Sequence, residues 1–462
     1  MRLLHTADWH LGARFHDRRR GADEEHALAQ IVDLCRQRAV DAVLVAGDVF
    51  DTANPGGEEQ QRYYRTLARL VDDPARGGAG VGTVVVTAGN HDGALRLDGP
   101  RELLATLRIH VVGRWPRAAD AGDCVVTLRD RDGQARAVCA AVPFLRDGDL
   151  RLAAPAERRH EIHARYAEAL GARYTEARRA AREHAPELPL VVMGHCTVVG
   201  FALGGEERAV RIGTLDQVDA SALAGDAAYL ALGHIHKPQA VGAVEHWRYS
   251  GSLLPTGFDE AGIGREVVLV DLPSAVDEAD TAAAIERVPL EPYRRYCRLR
   301  GDPGTLRRQI GELEPLDTEP PSDGQATGQA SARDDSPAAT TPWCEATVVL
   351  DAPEPGIARE LGDLAAERGW ALVSVKRETL RDVLGQEPTA PLVADDLHHL
   401  DPFEVFERLH ESKYGHGPDD ALRREFEALL DEVEQEAQSA AETEVDHELR
   451  PTSDSEPAQE PT

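Results

Sequence analysis

The chain has 462 residues, and its 51 Lys and Arg against 81 Asp and Glu give a formal net charge of −30. A protein that coats nucleic acid or lies on an anionic membrane needs an excess of positive charge, so this balance excludes both classes. Hydrophobic residues make up 42% of the chain, which is enough for a large core and excludes wholesale disorder.

The cysteines and the hydropathy pattern indicate a compartment. Six cysteines are scattered along the chain without a Cys-x-x-Cys pair, which is typical of reduced thiols in a cytoplasmic protein. No apolar run reaches the ~18 residues of a membrane span, and residues 1–10 lack the apolar core of a signal peptide. We therefore expect a cytoplasmic protein without a membrane partner.

Short apolar runs alternate with helical patterns over the first 285 residues. Several runs are apolar at nearly every position, which is typical of strands covered on both faces. The segments between them repeat apolar residues at helical spacing, and the Arg- and Glu-rich segment 154–184 is predicted to be a solvated helix. This alternation predicts an α/β layered domain. The predicted strands are Arg2–Thr6, Ala42–Ala46, Thr83–Thr87, 187–193 and 228–232.

Changes in composition divide the chain. A large α/β domain is predicted at 1–285 and a small α+β domain at 286–385. Residues 314–342 turn to Pro, Ser, Gly, Asp and Thr and are predicted to be a disordered insertion. Two amphipathic helices are predicted within 395–435, and an acidic disordered tail at 436–462.

Five short polar motifs each follow the end of a predicted strand. In open α/β sheets the carboxyl ends of parallel strands meet at one edge, where ligands bind. The glycines in four of the motifs allow tight turns and a close approach of the backbone to an ion. Taken together and in this order, the motifs predict one shared site. They are Asp8-Trp-His10, Gly47-Asp48-Val-Phe-Asp51, Gly89-Asn90-His91-Asp92, Gly194-His195 and Gly233-His234-Ile-His236.

The residue types in these motifs suit a pair of divalent ions. Carboxylates balance the charge, neutral imidazoles fix the geometry, and one carboxylate can be shared by two ions about 3.5–4 Å apart that activate a water to attack phosphorus. Oxygen and nitrogen donors without thiolate indicate Mn, Mg or Fe rather than structural zinc. The predicted ligands are Asp8, His10 and His236 for the first ion, Asn90, His195 and His234 for the second, and Asp48 for both.

Three neighbours are predicted to act without binding metal. His91 follows a ligand directly and is expected to donate a proton to the leaving oxygen or to stabilise charge on the phosphate. Asp51 and Asp92 are expected to orient ligand histidines or to anchor the loops.

The five motifs resemble the signature of the calcineurin-like metallophosphoesterases, D-x-H, G-D-x-x-D, G-N-H-D/E, G-H and G-H-x-H. The segments 47–55, 215–218, 232–239 and 249–254 further resemble a bacterial nuclease subunit of that family. The resemblance implies a four-layer α-β-β-α fold and a two-metal site, usually manganese, on the ligands named above, with His91 as the catalytic histidine. It also implies exonuclease and endonuclease activity on DNA ends or hairpins in repair, recombination and replication, and association with the nucleoid.

The same resemblance implies a coiled-coil ATPase partner and a homodimer within a heterotetramer. We expect the helices of 395–435 to dock on the ATPase; the alternative is that they pack on their own domain. For self-association the sequence indicates 54–70, with an apolar stripe formed by Tyr63, Tyr64, Leu67 and Leu70.

DNA must be held by local positive charge in so acidic a chain. The arginines of the segment after the first motif are predicted to contact phosphates; the alternative is a solvated loop. Two other functions remain open: a phosphodiesterase or phosphatase of the same family, and a scaffold for the ATPase with vestigial chemistry, which the complete ligand set disfavours. The arginines are Arg14, Arg18, Arg19 and Arg20.

Overall fold

The computed structural model describes residues 1–73, 77–78, 80–116, 121–150, 159–198, 218–242, 244–273, 282–314, 341–350, 354–379 and seven positions between 406 and 426. The chain divides into two compact units, Met1–Glu387 and Pro388–Thr462. Among the described residues, every helix is too short or too polar to cross a membrane.

The described part of the first unit contains fifteen strands and nine α-helices. The strands are β1 (Arg2–Thr6), β2 (Ala42–Ala46), β3 (Thr83–Thr87), β4 (Ile109–Val112), β5 (Val125–Arg129), β6 (Ala135–Ala141), β7 (Leu190–His195), β8 (Tyr229–Gly233), β9 (Gln239–Val241), β10 (Val244–Tyr249), β11 (Glu266–Asp271), β12 (Ala284–Pro289), β13 (Tyr296–Gly301), β14 (Trp343–Leu350) and β15 (Ala371–Thr379). The helices are α1 (Gly21–Gln37), α2 (Gly57–Val71), α3 (Ala94–Asp98), α4 (Arg101–Thr106), α5 (Asp147–Leu150), α6 (Arg159–His184), α7 (Ala220–Ala224), α8 (Pro303–Glu312) and α9 (Ile357–Glu367).

Two six-stranded sheets form the body of this unit. The first sheet has the order β12-β11-β1-β2-β3-β4, and its strands β1 to β4 run parallel. The second has the order β5-β6-β7-β8-β10-β9, with β6, β7, β8 and β10 parallel. Each sheet therefore presents a set of strand carboxyl ends at one edge.

Helices cover the outer faces of the two sheets. Apolar residues of α1 and α2 pack on one face of the first sheet, for example Ile31 and Leu67. The other face packs against the second sheet, whose far side is covered by Tyr174 and Ala181 of α6. The layers run α-β-β-α, and the α/β prediction is confirmed. The segment 154–184 is not merely a solvated flank, because α6 closes this outer layer.

A three-stranded parallel sheet, β13-β14-β15, forms a separate small core. Alternate residues of β14, such as Cys344, Ala346 and Val348, face α8 and α9. The expected boundary at residue 285 falls inside β12, which pairs with β11 over Ala284–Pro289, so the large sheet extends past it.

Several predicted features lie outside the described residues. The insertion predicted at 314–342 is described only at its ends, and the acidic tail at 436–462 is not described. Within 395–435, Phe406 and Phe426 are helical, and their rings stack with centroids 4.2 Å apart.

The apolar stripe predicted for self-association is mostly core. Tyr63, Leu67 and Leu70 are buried, and Tyr64 is the exposed member at 38%. The stripe turns its apolar face to the first sheet, since an amphipathic helix buries that face first. The large exposed apolar side chains nearby are Leu95, Leu103 and Leu107, on and after the next two helices.

A buried histidine links the two sheets. His5 of β1 is fully buried, and its Nδ1 lies 2.8 Å from the hydroxyl of Tyr229 in β8. Burial first, and then the nearby Arg248, lower the pKa of His5 to about 3. An unfolded histidine titrates near pH 6.5, so between these values the unfolded state binds the additional proton. The free energy of unfolding therefore falls as the pH falls through this window.

We expect His5→Gln to flatten this pH dependence. Between about pH 4 and 6 the slope of the unfolding free energy against pH should decrease by up to about 1.4 kcal/mol per pH unit. This is the slope that results when the unfolded state binds one more proton than the folded state. Urea unfolding at a series of pH values measures it. Tyr229→Phe, which removes the hydroxyl and keeps the imidazole, should lose stability without changing the slope. Parallel pH profiles for His5→Gln and the parent would contradict the assignment.

Candidate metal centre

Four of the predicted metal ligands lie in a backbone conformation that L-residues rarely adopt. The φ angles are 50° at Asp8, 43° at His10, 48° at Asp48 and 98° at His234. A residue other than glycine in this region costs on the order of 1 kcal/mol, and the surrounding structure must enforce it. Such strain concentrates at functional sites, and here it turns the side chains inward just after the strand ends.

Two glycines of the motifs lie where a larger side chain would collide with its neighbours. Gly47 has φ +84°, and a Cβ there would collide with the ring of His195. A Cβ at Gly89 would collide with the carboxylate of Asp48. Both glycines thus allow the loops after β2 and β3 to approach the ligands of neighbouring strands.

Asp8, His10 and His236 form the first cluster of donors, with their ligand atoms all within 4.8 Å of one another. The Nε2 atoms of His10 and His236 face each other at 3.1 Å. Asp8 is buried, and its carboxylate also accepts the backbone N–H of His234 at 2.9 and 3.1 Å. The loop after β8 is thereby fixed to the end of β1.

Asp48, His195 and His234 form the second cluster, by the same distance criterion. The Oδ1 of Asn90 lies 3.0 Å from both His195 Nε2 and His234 Nδ1. Asp48 Oδ2 lies 3.3 Å from His195 Nε2 and 3.6 Å from His10 Nε2, so this carboxylate reaches both clusters. All seven predicted ligands meet at the facing strand ends of the two sheets.

The donor set fits a cation. His195 Nδ1 lies 2.9 Å from the carbonyl oxygen of Ala46, which can only accept, so Nδ1 carries a proton and a neutral His195 would have its lone pair on Nε2. That lone pair points at the carboxylate of Asp48, which is also an acceptor. Two acceptors turned toward each other in a buried site require a proton or a metal ion between them. A divalent ion on these oxygens and imidazoles satisfies this requirement.

The electrostatics of the cluster show the same requirement for positive charge. Burial alone would raise the pKa of Asp48, but His195 and His10 lower it below its usual range. Burial alone would lower the pKa of His195, but Asp48 and Asp8 raise it to about 9. Burial raises the pKa of Asp8. Positive charge on the neighbouring histidines thus favours the charged form of Asp48, and Asp48 in turn favours positive charge beside it.

His91 lies at the rim of the two clusters. It is partly exposed, and its Nδ1 donates to the backbone carbonyl of Asp51 at 2.9 Å, which leaves Nε2 for a substrate. Its backbone N–H donates to Asp48 Oδ1 at 2.9 Å, and its ring meets that of His10 edge-on at 4.9 Å. His91 is therefore tied to a ligand, and one of its ring nitrogens lies within 4.8 Å of donor atoms of His10 and Asp48.

The two other predicted carboxylates lie behind the clusters. Asp51 Oδ1 is 3.3 Å from His10 Nδ1, on the side of the ring away from the Nε2 atom that faces His236. Asp92 is buried and accepts the backbone N–H groups of Val49, Phe50 and Gly89 at 2.8–3.1 Å. Asp51 contacts a ligand ring, and Asp92 holds the loops after β2 and β3 together.

Of the four arginines predicted to contact DNA, one is buried and three lie at the surface. Arg20 is buried and donates to the carbonyl of Pro255, so its guanidinium cannot reach a phosphate on the surface. Arg14 donates to the carbonyl of Asp17, and Arg19 pairs with an exposed glutamate. Arg18 lies over the ring of Trp343 at 5.7 Å. Arg14, Arg18 and Arg19 remain the candidates at the surface.

One contact of the site was missed by sequence reasoning. The carboxylate of Glu260 lies 2.8 Å from Nδ1 of His236. Burial alone would raise the pKa of Glu260, but His236 and Arg265 lower it to about 2. Glu260 lies 24 residues after its partner, in no motif, so no spacing could have revealed the pair.

Comparisons with known proteins agree with this geometry. The model of the calcineurin-like phosphoesterase family matches residues 1–238. SbcD of Escherichia coli K12, which is a subunit of the SbcCD nuclease, is 33% identical over 325 residues, which cover 70% of this chain and 76% of that protein. The SbcD proteins of Rhodobacter capsulatus and Bacillus subtilis are 40% and 33% identical, each covering 59% of this chain and 66% of the relative.

The family match includes every predicted metal ligand, and the Escherichia coli relative is matched along most of its own length. Both the general and the narrower resemblance of the motifs are confirmed. The chain belongs to the calcineurin-like phosphoesterase family and, within it, to the group of the SbcD nuclease subunits.

Proposed function

We propose that this protein is a metal-dependent nuclease that hydrolyses phosphodiester bonds at DNA ends or hairpins. The observation that carries the proposal is the convergence of seven oxygen and nitrogen donors on two adjoining clusters, with His91 beside them. The relatives are named as parts of the nuclease SbcCD, which supports DNA rather than a small phosphoester as the substrate.

The residues of the site would hold two metal ions. When bound, two divalent ions would supply positive charge for the phosphate and lower the pKa of an attacking water. Asp8, His10 and His236 would hold one ion, Asn90, His195 and His234 the other, and Asp48 both. Manganese is the metal we propose, since hard oxygens and imidazoles without thiolate suit it.

His91 is placed to act on the substrate. Because its Nδ1 proton is held by the carbonyl of Asp51, Nε2 is left for the substrate, and the ring lies beside His10 and Asp48. A protonated Nε2 would donate to the oxygen that leaves the phosphorus, or balance its developing charge. We infer that His91 is the catalytic acid, and that the enzyme acts as a double-strand exonuclease and a single-strand endonuclease.

We also infer a partner and a place of action. The name of the relatives describes one subunit of an SbcCD complex, which supports a coiled-coil ATPase, SbcC, as the partner of residues 395–435. The proposed complex is cytoplasmic, joins the nucleoid when active, and holds DNA in part through Arg14, Arg18 and Arg19. Its ATPase would supply much of the remaining affinity for DNA, since the chain itself is acidic.

A homodimer is proposed on an exposed apolar surface rather than on the predicted stripe. Tyr64, Leu95, Leu103 and Leu107 are 38–69% exposed. Arg96, beside Leu95 in α3, donates to Asn54 at 3.0 Å and so ties α3 to the segment just before α2. Exposed leucines concentrated on adjacent short helices are typical of a protein interface.

We expect Asp48→Asn to lose at least one of two Mn²⁺ ions, because the amide cannot balance the charge of two cations. Elemental analysis and calorimetric titration of the full chain measure the stoichiometry. Asp72→Asn, an exposed aspartate after α2, is the matched control and should bind two ions. Two ions retained in Asp48→Asn would contradict the shared-ligand assignment.

We expect His91→Asn to lower the rate of DNA hydrolysis by about 10²–10⁴-fold while both metal ions stay bound. The assay uses linear duplex and hairpin DNA in Mn²⁺, with and without the ATPase and ATP, beside a simple phosphodiester. His184→Asn, on an exposed helix end, is the control. An unchanged rate for His91→Asn excludes the catalytic role. Cleavage of the simple diester alone would favour another phosphodiesterase of the family.

Leu103→Glu should shift the protein from dimer to monomer, since a charge in an apolar interface is not compensated there. Sedimentation equilibrium measures the mass. Arg179→Glu, on the exposed face of α6, should leave the dimer intact. If Leu103→Glu and Leu95→Glu both remain dimeric with two bound Mn²⁺ ions, the dimer surface lies elsewhere.

A further inference from the structure

Glu260 ends a short 3₁₀ turn, Phe258–Glu260, and makes four hydrogen bonds through its carboxylate. Oε1 accepts from Nδ1 of His236 at 2.8 Å and from the hydroxyl of Thr256 at 2.9 Å. Oε2 accepts from the backbone N–H of Thr256 and from Nη2 of Arg265, both at 3.0 Å. The carboxylate therefore has one orientation, set by partners on both of its oxygens.

This carboxylate determines how the ring of His236 is used. Because an ionised carboxylate only accepts, the proton of a neutral His236 lies on Nδ1 and the lone pair on Nε2. That Nε2 faces Nε2 of His10 at 3.1 Å, beside Asp8, at the first predicted metal position. A carboxylate behind a ligand histidine holds the ring and makes it a more basic ligand.

Arg265 ties the turn to the backbone of the ligand. It is 9% exposed, and its Nη1 donates to the carbonyl of His236 at 3.0 Å and to Ser252 Oγ at 2.8 Å. Its Nη2 donates to the carbonyl of Glu260 at 3.1 Å. The ring of His236 and its backbone are thus held by one connected network.

The same turn is packed against the small sheet by aromatic side chains. Phe258 is buried, with its ring 4.8 Å from that of Phe15 and 6.4 Å from that of Tyr296 at the start of β13. Phe15 also packs on Trp343 at the start of β14, with ring centroids 5.4 Å apart. The guanidinium of Arg294 also packs on Trp343, 4.0 Å from the centre of its ring. We call these four rings the aromatic joint.

We propose that Glu260 is a positioning residue for the metal ligand His236, and that the aromatic joint couples its position to the β13–β15 sheet. The inference rests on the metal-dependent function proposed above. Phe258 and Glu260 are two residues apart on one turn, so a displacement of Phe258 displaces the carboxylate. A substitution in the aromatic joint should therefore weaken the binding of one metal ion, although all seven ligand residues are unchanged.

Titration of the full chain with Mn²⁺ alone, without DNA, tests the first part. Glu260→Ala should weaken the binding of one of the two ions by about 10–100-fold. Glu260→Gln keeps an acceptor for His236 and should weaken it less, by about threefold or more. Asp259→Asn removes the same charge from the adjacent, exposed position and should bind both ions as the parent does.

The variants also separate positioning from loss of fold. The melting temperature and the second ion's affinity should stay near those of the parent in Glu260→Gln. If Glu260→Ala fails to fold, Glu260→Gln decides, because it preserves the shape of the side chain. Parental affinity for both ions in Glu260→Gln, or equal weakening of both ions, would overturn the proposal.

A pair of tryptophan variants tests the coupling. Trp343→Leu removes a ring of the joint, whereas Trp370→Leu removes a buried ring from the other core of the same small sheet. Trp343→Leu should weaken one Mn²⁺ by about threefold to tenfold, and Trp370→Leu should not. The double variant Glu260→Ala with Trp343→Leu should bind Mn²⁺ no more weakly than Glu260→Ala.

Equal effects of Trp343→Leu and Trp370→Leu on Mn²⁺ binding would overturn the coupling. If Trp343→Leu fails to fold, Phe258→Leu takes its place.

The same titration distinguishes this inference from the proposed function. A parent chain that binds no Mn²⁺ contradicts the metal-dependent function itself. A parent that binds two ions, together with variants that bind them equally well, contradicts only the role of Glu260 and of the joint.

Discussion

The structure depends on one electrostatic constraint, the meeting of buried lone pairs at the strand ends. Nε2 of His195 faces the carboxylate of Asp48, and two imidazole nitrogens face each other at the neighbouring position. The neutral forms of these groups repel one another unless a proton or a metal ion lies between them. The backbone is strained at Asp8, His10, Asp48 and His234, so the folded state is less stable than it would be without this arrangement.

Much of the site could be predicted because its determinants are local in the chain. The strands Arg2–Thr6, Ala42–Ala46 and Thr83–Thr87 have the predicted bounds, since runs such as AVLVA admit few other structures. A polar residue just after such a strand must lie at the sheet edge. The ligands could therefore be grouped before any distance was known.

What could not be predicted depends on contacts between distant segments. Periodicity places Tyr63 and Leu67 on one helix face, but it does not say whether that face meets the core or a second chain. The burial of Arg20 depends on Pro255, and the role of Glu260 depends on His236. The strand β12 was missed because its residues, AIERVP, are mostly exposed and form no apolar run, so only the pairing with β11 reveals it. Each of these features requires the tertiary structure.

The two sheets contribute ligands to the same centre. Asp8, His10, Asp48 and Asn90 follow strands of the first sheet, while His195, His234 and His236 come from the second. An ion bound here would therefore cross-link two layers that also meet through apolar packing and through polar contacts such as His5 with Tyr229. Because a ligand that binds only the folded state raises its stability, metal supply would govern the lifetime of the folded protein as well as its activity. Starvation for the metal would then act on the amount of this protein, through unfolding and turnover, as well as on its rate of catalysis.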